Sequence, residues 1–399
     1  MNDKADHVMN HIELDTLSAS EPPRLVRAMG DPFQIGNEIG SQTANLIAES
    51  LNTYMNRFQR DAGHTPARVR ELGQQYGSAL REWDPRIART LEGMANTSDQ
   101  EFELLVALNA RTELLYGAPS HENGCTSVAV LPQGTASGHT LLAQNWDWRM
   151  EQQRNAFVLA TRDENGFASI VLTEAGMLMK SGFNSSGIGL CNNLLVSDRD
   201  GSLEGTVPMH LAIRGVVDQP RMSLAHRKLL PTARSSSANV LLADGGGEAI
   251  DFELVPDDFG VIYPKNHLIV HANHFETEVP VRDLKRSTFA LTLLRSPRLR
   301  RLLEAKAIDA SVTTHDIATA LRDGYSSPDA LCRYPDPDLP EYEQLATIFS
   351  VIMDLDAREF WIAGFPVDRS PYFEWNLDTV FDHPEPRVGL FPAGTEERS

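Results

Sequence analysis

Between Asp31 and about Leu114, apolar residues return mostly at three- and four-residue steps. Phe33, Ile35, Ile39, Ala44, Leu46, Ile47, Leu51 and Tyr54 form one stripe, and Val69, Leu72, Tyr76 and Leu80 a second. Ile87, Leu91 and Met94 follow, then Phe102, Leu105, Leu108 and Leu114. That period marks helices with one buried face, so the first ~120 residues read as a helical block. Residues 1–24 read as a polar tail leading into a short strand. Thr97-Ser98-Asp99, followed by Glu101 and Glu103, reads as a capped helix start.

The pattern then changes to short β-type runs at Thr126–Leu131, Thr140–Trp146, Ala156–Thr161 and Phe167–Thr173. Turn-type residues at 133–138 and 163–166 separate them, and Gly182–Gly187 leads into a strand at Ile188–Cys191. Helices are expected at about Pro208–Val217 and Ser223–Leu230. A second strand group covers Ala238–Leu242, Ala249–Leu254, Phe259–Tyr263 and His267–Ala272. Helices return at about Val281–Ala305 and Thr314–Arg322, and a strand pair, Ala346–Met353 and Glu359–Ala363, closes the chain. Two strand groups with intervening helices predict two sheets packed together and covered by helices on both outer faces.

The chemistry concentrates where the helical block meets the first strand. Gly124-Cys125 places a thiol at the start of a β-run directly after a glycine. A thiol there can attack the carbonyl of Gly124, and water then releases a chain that begins at Cys125. Glycine suits the step because it lacks Cβ and admits close approach. The freed α-amine titrates near ~7.7–8.0, so it can take the thiol proton and return it to a leaving amine. A hairpin through 134–138 brings Asp147 back beside Cys125, where a carboxylate can orient that amine. Trp146 and Trp148 read as packing or pocket walls. Asn193, after Asn192 at one strand end, and Asn273 at another, are placed to donate to an oxyanion.

Composition narrows the setting. The 36 Lys and Arg against 55 Asp and Glu give a formal charge of −19, which disfavours nucleic acid and anionic membranes as partners. Three cysteines, Cys125, Cys191 and Cys332, argue against a disulfide framework. No apolar run approaches the roughly 18 residues of a membrane span, and the polar start lacks a secretory core, so a cytoplasmic enzyme is expected. His271 and His274 stand three residues apart at a strand end, which is not a metal-ligand signature, and no metal site is expected. Gly245-Gly246-Gly247 precedes a strand and reads as a hairpin turn.

Taken in order, Gly124-Cys125-Thr126-Ser127, Gln144-Asn145-Trp146-Asp147, Gly182 to Gly187 through Asn193-Leu194, Ser237 to Asp244, Ala272-Asn273-His274-Phe275 and Ile348 to Asp354 resemble one known family. It is the autoproteolytic acyl-coenzyme A:6-aminopenicillanic acid acyltransferase (isopenicillin N acyltransferase) family, whose members are N-terminal-nucleophile hydrolases. The resemblance runs from about residue 27 to about 367. It implies an α+β fold, a four-layer αββα sandwich with a helical N-terminal segment, made as a precursor and cut before Cys125. Residues 1–124 would be the helical fragment, retained after cleavage, and 125–399 the catalytic fragment. Cys125 would be nucleophile and, through its amine, base; Asp147 would orient the amine; Asn273 and Asn193 would serve the oxyanion or substrate.

Relatives acting on bile salts and penicillin V carry an arginine where this chain has Gln144, which with Trp146 becomes a candidate substrate contact. A serine and an arginine expected after the asparagine motif are either Arg286-Ser287 or Ser296-Pro297-Arg298. The expected substrate is a small-molecule amide or acyl thioester, handled without cofactor, and a homo-oligomer stays open. Two rival readings remain: an uncleaved cysteine hydrolase with His271 or His274 as base, and an inactive αββα binding protein.

Overall fold

The computed structural model describes residues 21–115, 124–201, 206–340 and 343–391, without the side chains of residues 287 and 288. Strand β1 (Leu25–Gly30) leads into α1 (Pro32–Ala62), α2 (Pro66–Trp83), α3 (Pro85–Ser98), α4 (Phe102–Asn109) and α5 (Arg111–Leu114). Asp31 starts α1 with a capping box to Gln34, Pro32 sits where its missing N–H costs nothing, and Gly63 ends it in the left-handed region. The expected helical block is present. Its expected start at Thr97 is not: Thr97 and Ser98 are the last residues of α3, Asp99 closes α3 at φ 56°, and α4 begins after Glu101 without a side-chain cap. A left-handed Asp99 ends one helix where the sequence pattern suggested the cap of the next.

Helices α1 and α3 pack closely enough that a Cβ on Gly36 would lie 2.0 Å from the Thr90 carbonyl oxygen. That neighbour is backbone and cannot rotate away. Gly36→Ala is therefore expected to cost about 1–3 kcal/mol, read as a lower urea midpoint at unchanged slope.

The strands are β2 (Gly124–Val130), β3 (Leu141–Arg149), β4 (Ala156–Asp163), β5 (Ala168–Glu174), β6 (Ser181–Asn184) and β7 (Ile188–Leu194). After α6 (Met209–Val217) and α7 (Met222–Leu229) come β8 (Ala238–Asp244), β9 (Ala249–Val255), β10 (Asp258–Ile262) and β11 (Leu268–His271). The chain continues through α8 (Lys285–Thr288), α9 (Thr292–Ile308) and α10 (Thr314–Leu321). It ends with β12 (Leu345–Asp354), β13 (Glu359–Gly364), β14 (Phe373–Asn376) and β15 (Arg387–Val388). Three sequence expectations change. The segment at 182–187 contains strand β6, the helix expected from Val281 is the short α8 followed by α9 from Thr292, and β14 and β15 extend the sheet beyond the late pair.

One sheet runs β1-β4-β5-β6-β7-β8-β9-β10 and the other β11-β2-β3-β12-β13-β14-β15. The two sheets face each other through β2 and β3 against β7 and β8. Helices α1 and α6 cover the first sheet, and α9 and α10 the second, which gives the four αββα layers. Each sheet draws on both strand groups of the sequence. Alternation along β2 decides what meets what: Val128 and Val130 join the core under α9 and α10, whereas Cys125 and Ala129 join the core between the sheets. Among the described residues no helix is long and apolar enough to cross a membrane.

Candidate active site

Strands β2 and β3 form the expected hairpin, with Cys125 opposite Trp146 and Gly124 opposite Asp147. Directly paired residues share a face, so Cys125 and Trp146 look toward the first sheet while Asp147 looks toward α9. Cys125 is buried, and its side chain borders a cavity of about 30 Å³ with Trp146, Trp148, Arg111, Lys180, Asn192 and His210. By that measure it has room for a water or two. A larger cavity of about 90 Å³, lined by Arg86, Asp163, Arg214 and Asp218, lies between the helices and the outer face of the first sheet, and no cysteine lines it.

Strand β11 pairs with β2 on the other side, His271 opposite Ser127, which carries the chain on to set Asn273 beside Cys125. The Cys125 N–H donates to Asn273 Oδ1 at 2.8 Å. The same oxygen accepts from Arg295 Nη2 at 2.5 Å, and Arg295 Nη1 donates to Asp147 Oδ2 at 2.9 Å. Thr347 Oγ1 fills the other Asp147 oxygen at 2.6 Å, and Asn273 Nδ2 donates to Leu194 O at 2.9 Å. Asp147, Asn273 and Arg295 are all buried. Asp147 thus reaches the Cys125 nitrogen through Arg295 and Asn273.

Gly124 lies flat on this pair. A Cβ there would meet Asp147 Oδ2 at 2.3 Å and Arg295 Nη1 at 2.9 Å. The glycine is required for room, since its backbone is ordinary strand rather than left-handed.

The model of one family matches residues 135–364, more than half of the chain and a span that includes Asp147, Lys180, Asn273 and Arg295; its description is acyl-coenzyme A:6-aminopenicillanic acid acyl-transferase. The chain belongs to this acyltransferase family. A relative, the 40 kDa form of acyl-coenzyme A:6-aminopenicillanic-acid-acyltransferase from Emericella nidulans, is 29% identical over 252 residues, 62% of this chain and 68% of that protein. Two solved structures are more distant. A mutant of the conjugated bile acid hydrolase from Clostridium perfringens is 11% identical at TM-score 0.42, covering 67% of this chain and 97% of its own. Penicillin V acylase from Agrobacterium tumefaciens is 14% identical at TM-score 0.42, covering 60% and 83%.

In this acyltransferase-family chain the cavity is cationic. Arg111 and Lys180 line it beside Cys125, and Lys285 and Arg295 lie close enough outside that lining to interact with Cys125 electrostatically. Arg111 is tied to Glu174 and to the Tyr54 hydroxyl, with its guanidinium 4.3 Å from the Trp148 ring centre. Lys180 Nζ donates to Asn192 O. Burial, then Arg295 and Arg333, push the Lys285 ammonium down to about 7. An anionic intermediate formed on Cys125 would be met by this field.

Other expected site residues lie elsewhere. Gln144 Nε2 donates to Asn192 O at 2.9 Å and Asn193 Oδ1 at 2.7 Å. Asn193 Nδ2 is spent on Ser127 Oγ at 2.8 Å and Asn239 Oδ1 at 2.9 Å. Asn192, the residue before it, borders the cavity instead. Arg286 is exposed, its amide N–H donating to Asp283 Oδ1, and it is not a wall of the cavity. Arg298 pairs with Asp323, Ser296 donates to Glu276, and the Ser287 side chain lies outside the described residues. Neither candidate serine–arginine pair supplies the buried guanidinium, and Arg295 does.

Neither His271 nor His274 is among the residues that line the cavity. His271 Nε2 donates to Glu253 Oε1 at 2.8 Å and its Nδ1 to Ala272 O at 3.0 Å, so both nitrogens carry protons. Burial opposes that charge, but Asp251 and Glu253 overcome it and raise His271 from 6.5 to about 9. Glu253 would be raised by burial, yet His271 outweighs this and holds it low. His274 Nδ1 is 3.0 Å from Thr292 Oγ1, and burial lowers its pKa. Because folding raises the His271 pKa, its contribution is complete below 6.5 and lost as pH climbs through about 9. Thermal unfolding across that window is expected to show Tm falling as pH rises, and His271→Gln should flatten the fall.

Proposed function

We propose that this protein is a cysteine amidohydrolase or acyltransferase that makes its own nucleophile by cutting the Gly124–Cys125 bond. The observation that carries the reading is the pairing of that bond with its surroundings. The Cys125 N–H is held by Asn273, Gly124 rests on the Asp147–Arg295 pair, and the thiol faces a buried cationic cavity. Attack of Sγ on the Gly124 carbonyl forms a C–S bond and breaks the C–N bond, leaving the nitrogen as an amine. Water then cleaves the thioester and frees a Gly124 carboxylate.

In turnover the amine takes the thiol proton, Sγ attacks an amide or acyl thioester, and the proton passes to the leaving group. The acyl-Cys125 thioester passes its acyl group to water or to an amine. The family's name and the named activity of the Emericella relative support acyl transfer. Asn273, with its oxygen committed to Cys125, has an amide group beside the nucleophile. The geometry gives the rival bases no support, since His271 is held doubly protonated and His274 is turned to Thr292.

Retention of the helical fragment rests on buried cross-links between the two sides of the cut. Tyr54 donates to Glu174 at 2.8 Å, Trp148 donates to Tyr54 at 2.9 Å, and Arg111 is tied to Glu174. The two fragments are therefore expected to elute together from a sizing column and to separate in denaturant. The test of the chemistry is acid-quenched mass spectrometry with amide and thioester donors. The acyl mass should appear on the fragment beginning at Cys125 and be absent from Cys125→Ala. Turnover with the acyl group carried elsewhere would overturn the reading.

A further inference from the structure

The amine that serves turnover does not exist before the chain is cut. Until then the Cys125 nitrogen is an amide whose hydrogen is bound to Asn273, so self-cleavage needs another group to accept the thiol proton. The buried groups around Cys125 narrow the choice. Both Asp147 oxygens are occupied, by Arg295 and Thr347. Arg111 and Arg295 stay protonated at any working pH. His210 lines the cavity with one ring nitrogen bound to Met179 O.

Lys285, the other lysine near Cys125, is not among the residues that line the cavity, whereas Lys180 is. Lys180 lies between β5 and β6, is buried, and extends toward the cavity that Cys125 also lines, where its Nζ binds Asn192 O. The charged and titratable groups facing it are Cys125 from β2, Arg111 from α5, Cys191 from β7 and His210 from α6. We propose that Lys180 is the catalytic base of self-cleavage, taking the Cys125 thiol proton while the α-amine is still locked in the peptide bond. The proposal rests on the self-cleaving reading above.

The neutral amine has one lone pair and two hydrogens. It can accept from Sγ–H while still donating to Asn192 O. The thiolate attacks the Gly124 carbonyl carbon and pushes its electrons onto oxygen. When the C–N bond breaks, the Lys180 ammonium returns the proton to the Cys125 nitrogen, which becomes an NH2 group, and the thioester remains on Sγ. Lys180 ends neutral, as it began. Burial and the neighbouring Arg111 both lower its pKa, which favours the neutral form this step needs.

The experiment follows cleavage of the full chain after cell-free synthesis, for the wild type, Lys180→Met and Lys180→Arg. Both variants should convert to fragments at least about 100-fold more slowly than the wild type. Arginine matters most, because it keeps the charge and removes the lone pair. Lys180→Arg cleaving within a few fold of the wild type would overturn the proposal. The wild-type rate needs no variant, and so guards against a misfolded substitution: it should fall as pH is lowered, because the ammonium cannot accept a proton. A rate flat from about pH 5 to 9 would overturn the proposal even if neither variant folds. A wild-type chain that never cleaves would instead defeat the self-cleaving reading itself.

Discussion

Cys125→Ala is expected to remain one uncut chain and to lose at least about 10⁴-fold in amide or thioester turnover. Both losses follow from a single atom. In the proposed mechanism Sγ is the attacking group in the cut and in the catalytic cycle, and alanine leaves nothing that can hold an acyl group. The fold should be nearly indifferent to the change. Cys125 is a small side chain on a buried strand, and its backbone bond to Asn273 does not involve the thiol. A stability change within about 1–2 kcal/mol is expected, so intact mass and unfolding data together separate lost chemistry from lost structure.

Arg295→Met is expected to be the most damaging change away from the nucleophile. Arg295 is buried and joins two groups that need it: Asp147, which keeps only Thr347 as a side-chain partner without it, and Asn273, whose oxygen positions the Cys125 nitrogen. Leaving a buried carboxylate without its cation costs about 3–5 kcal/mol. Urea unfolding should show that loss, and the variant should also cut itself poorly. Adding Asp147→Asn removes the stranded charge. The double variant should therefore be less destabilised than the two single losses added together, by about 1–3 kcal/mol. Strict additivity would mean that the pair is not coupled.

The helical block and most strands were legible because their apolar periods are long and regular. That Asp147 returns beside Cys125 was legible because a short hairpin joins their strands, and Asn273 stood out as a polar residue just past a strand end. What escaped depends on long-range packing or on helix phase. Four arginines follow one another at 295, 298, 300 and 301, and which of them turns inward depends on where the helix begins. The expected start at Val281 is eleven residues before the observed Thr292, so Arg295 could not be singled out. Asn192 and Asn193 are neighbours on a strand, and only the pairing register decides that the first borders the cavity and the second binds Ser127. Lys180 had a faint signal as a lone cation ending the run Met177-Leu178-Met179. Its meeting with Cys125 comes from one sheet packing on the other, which no local pattern encodes.

The central claim is that the chain makes its own nucleophile, and the most direct measurement is the intact mass and N-terminal sequence of the purified wild-type protein under denaturing conditions. The account predicts two pieces, one ending at Gly124 and one beginning at Cys125, their masses together exceeding the uncut chain by one water. A single uncut chain that still turns over amides or thioesters would contradict it, because the amine base would then never form.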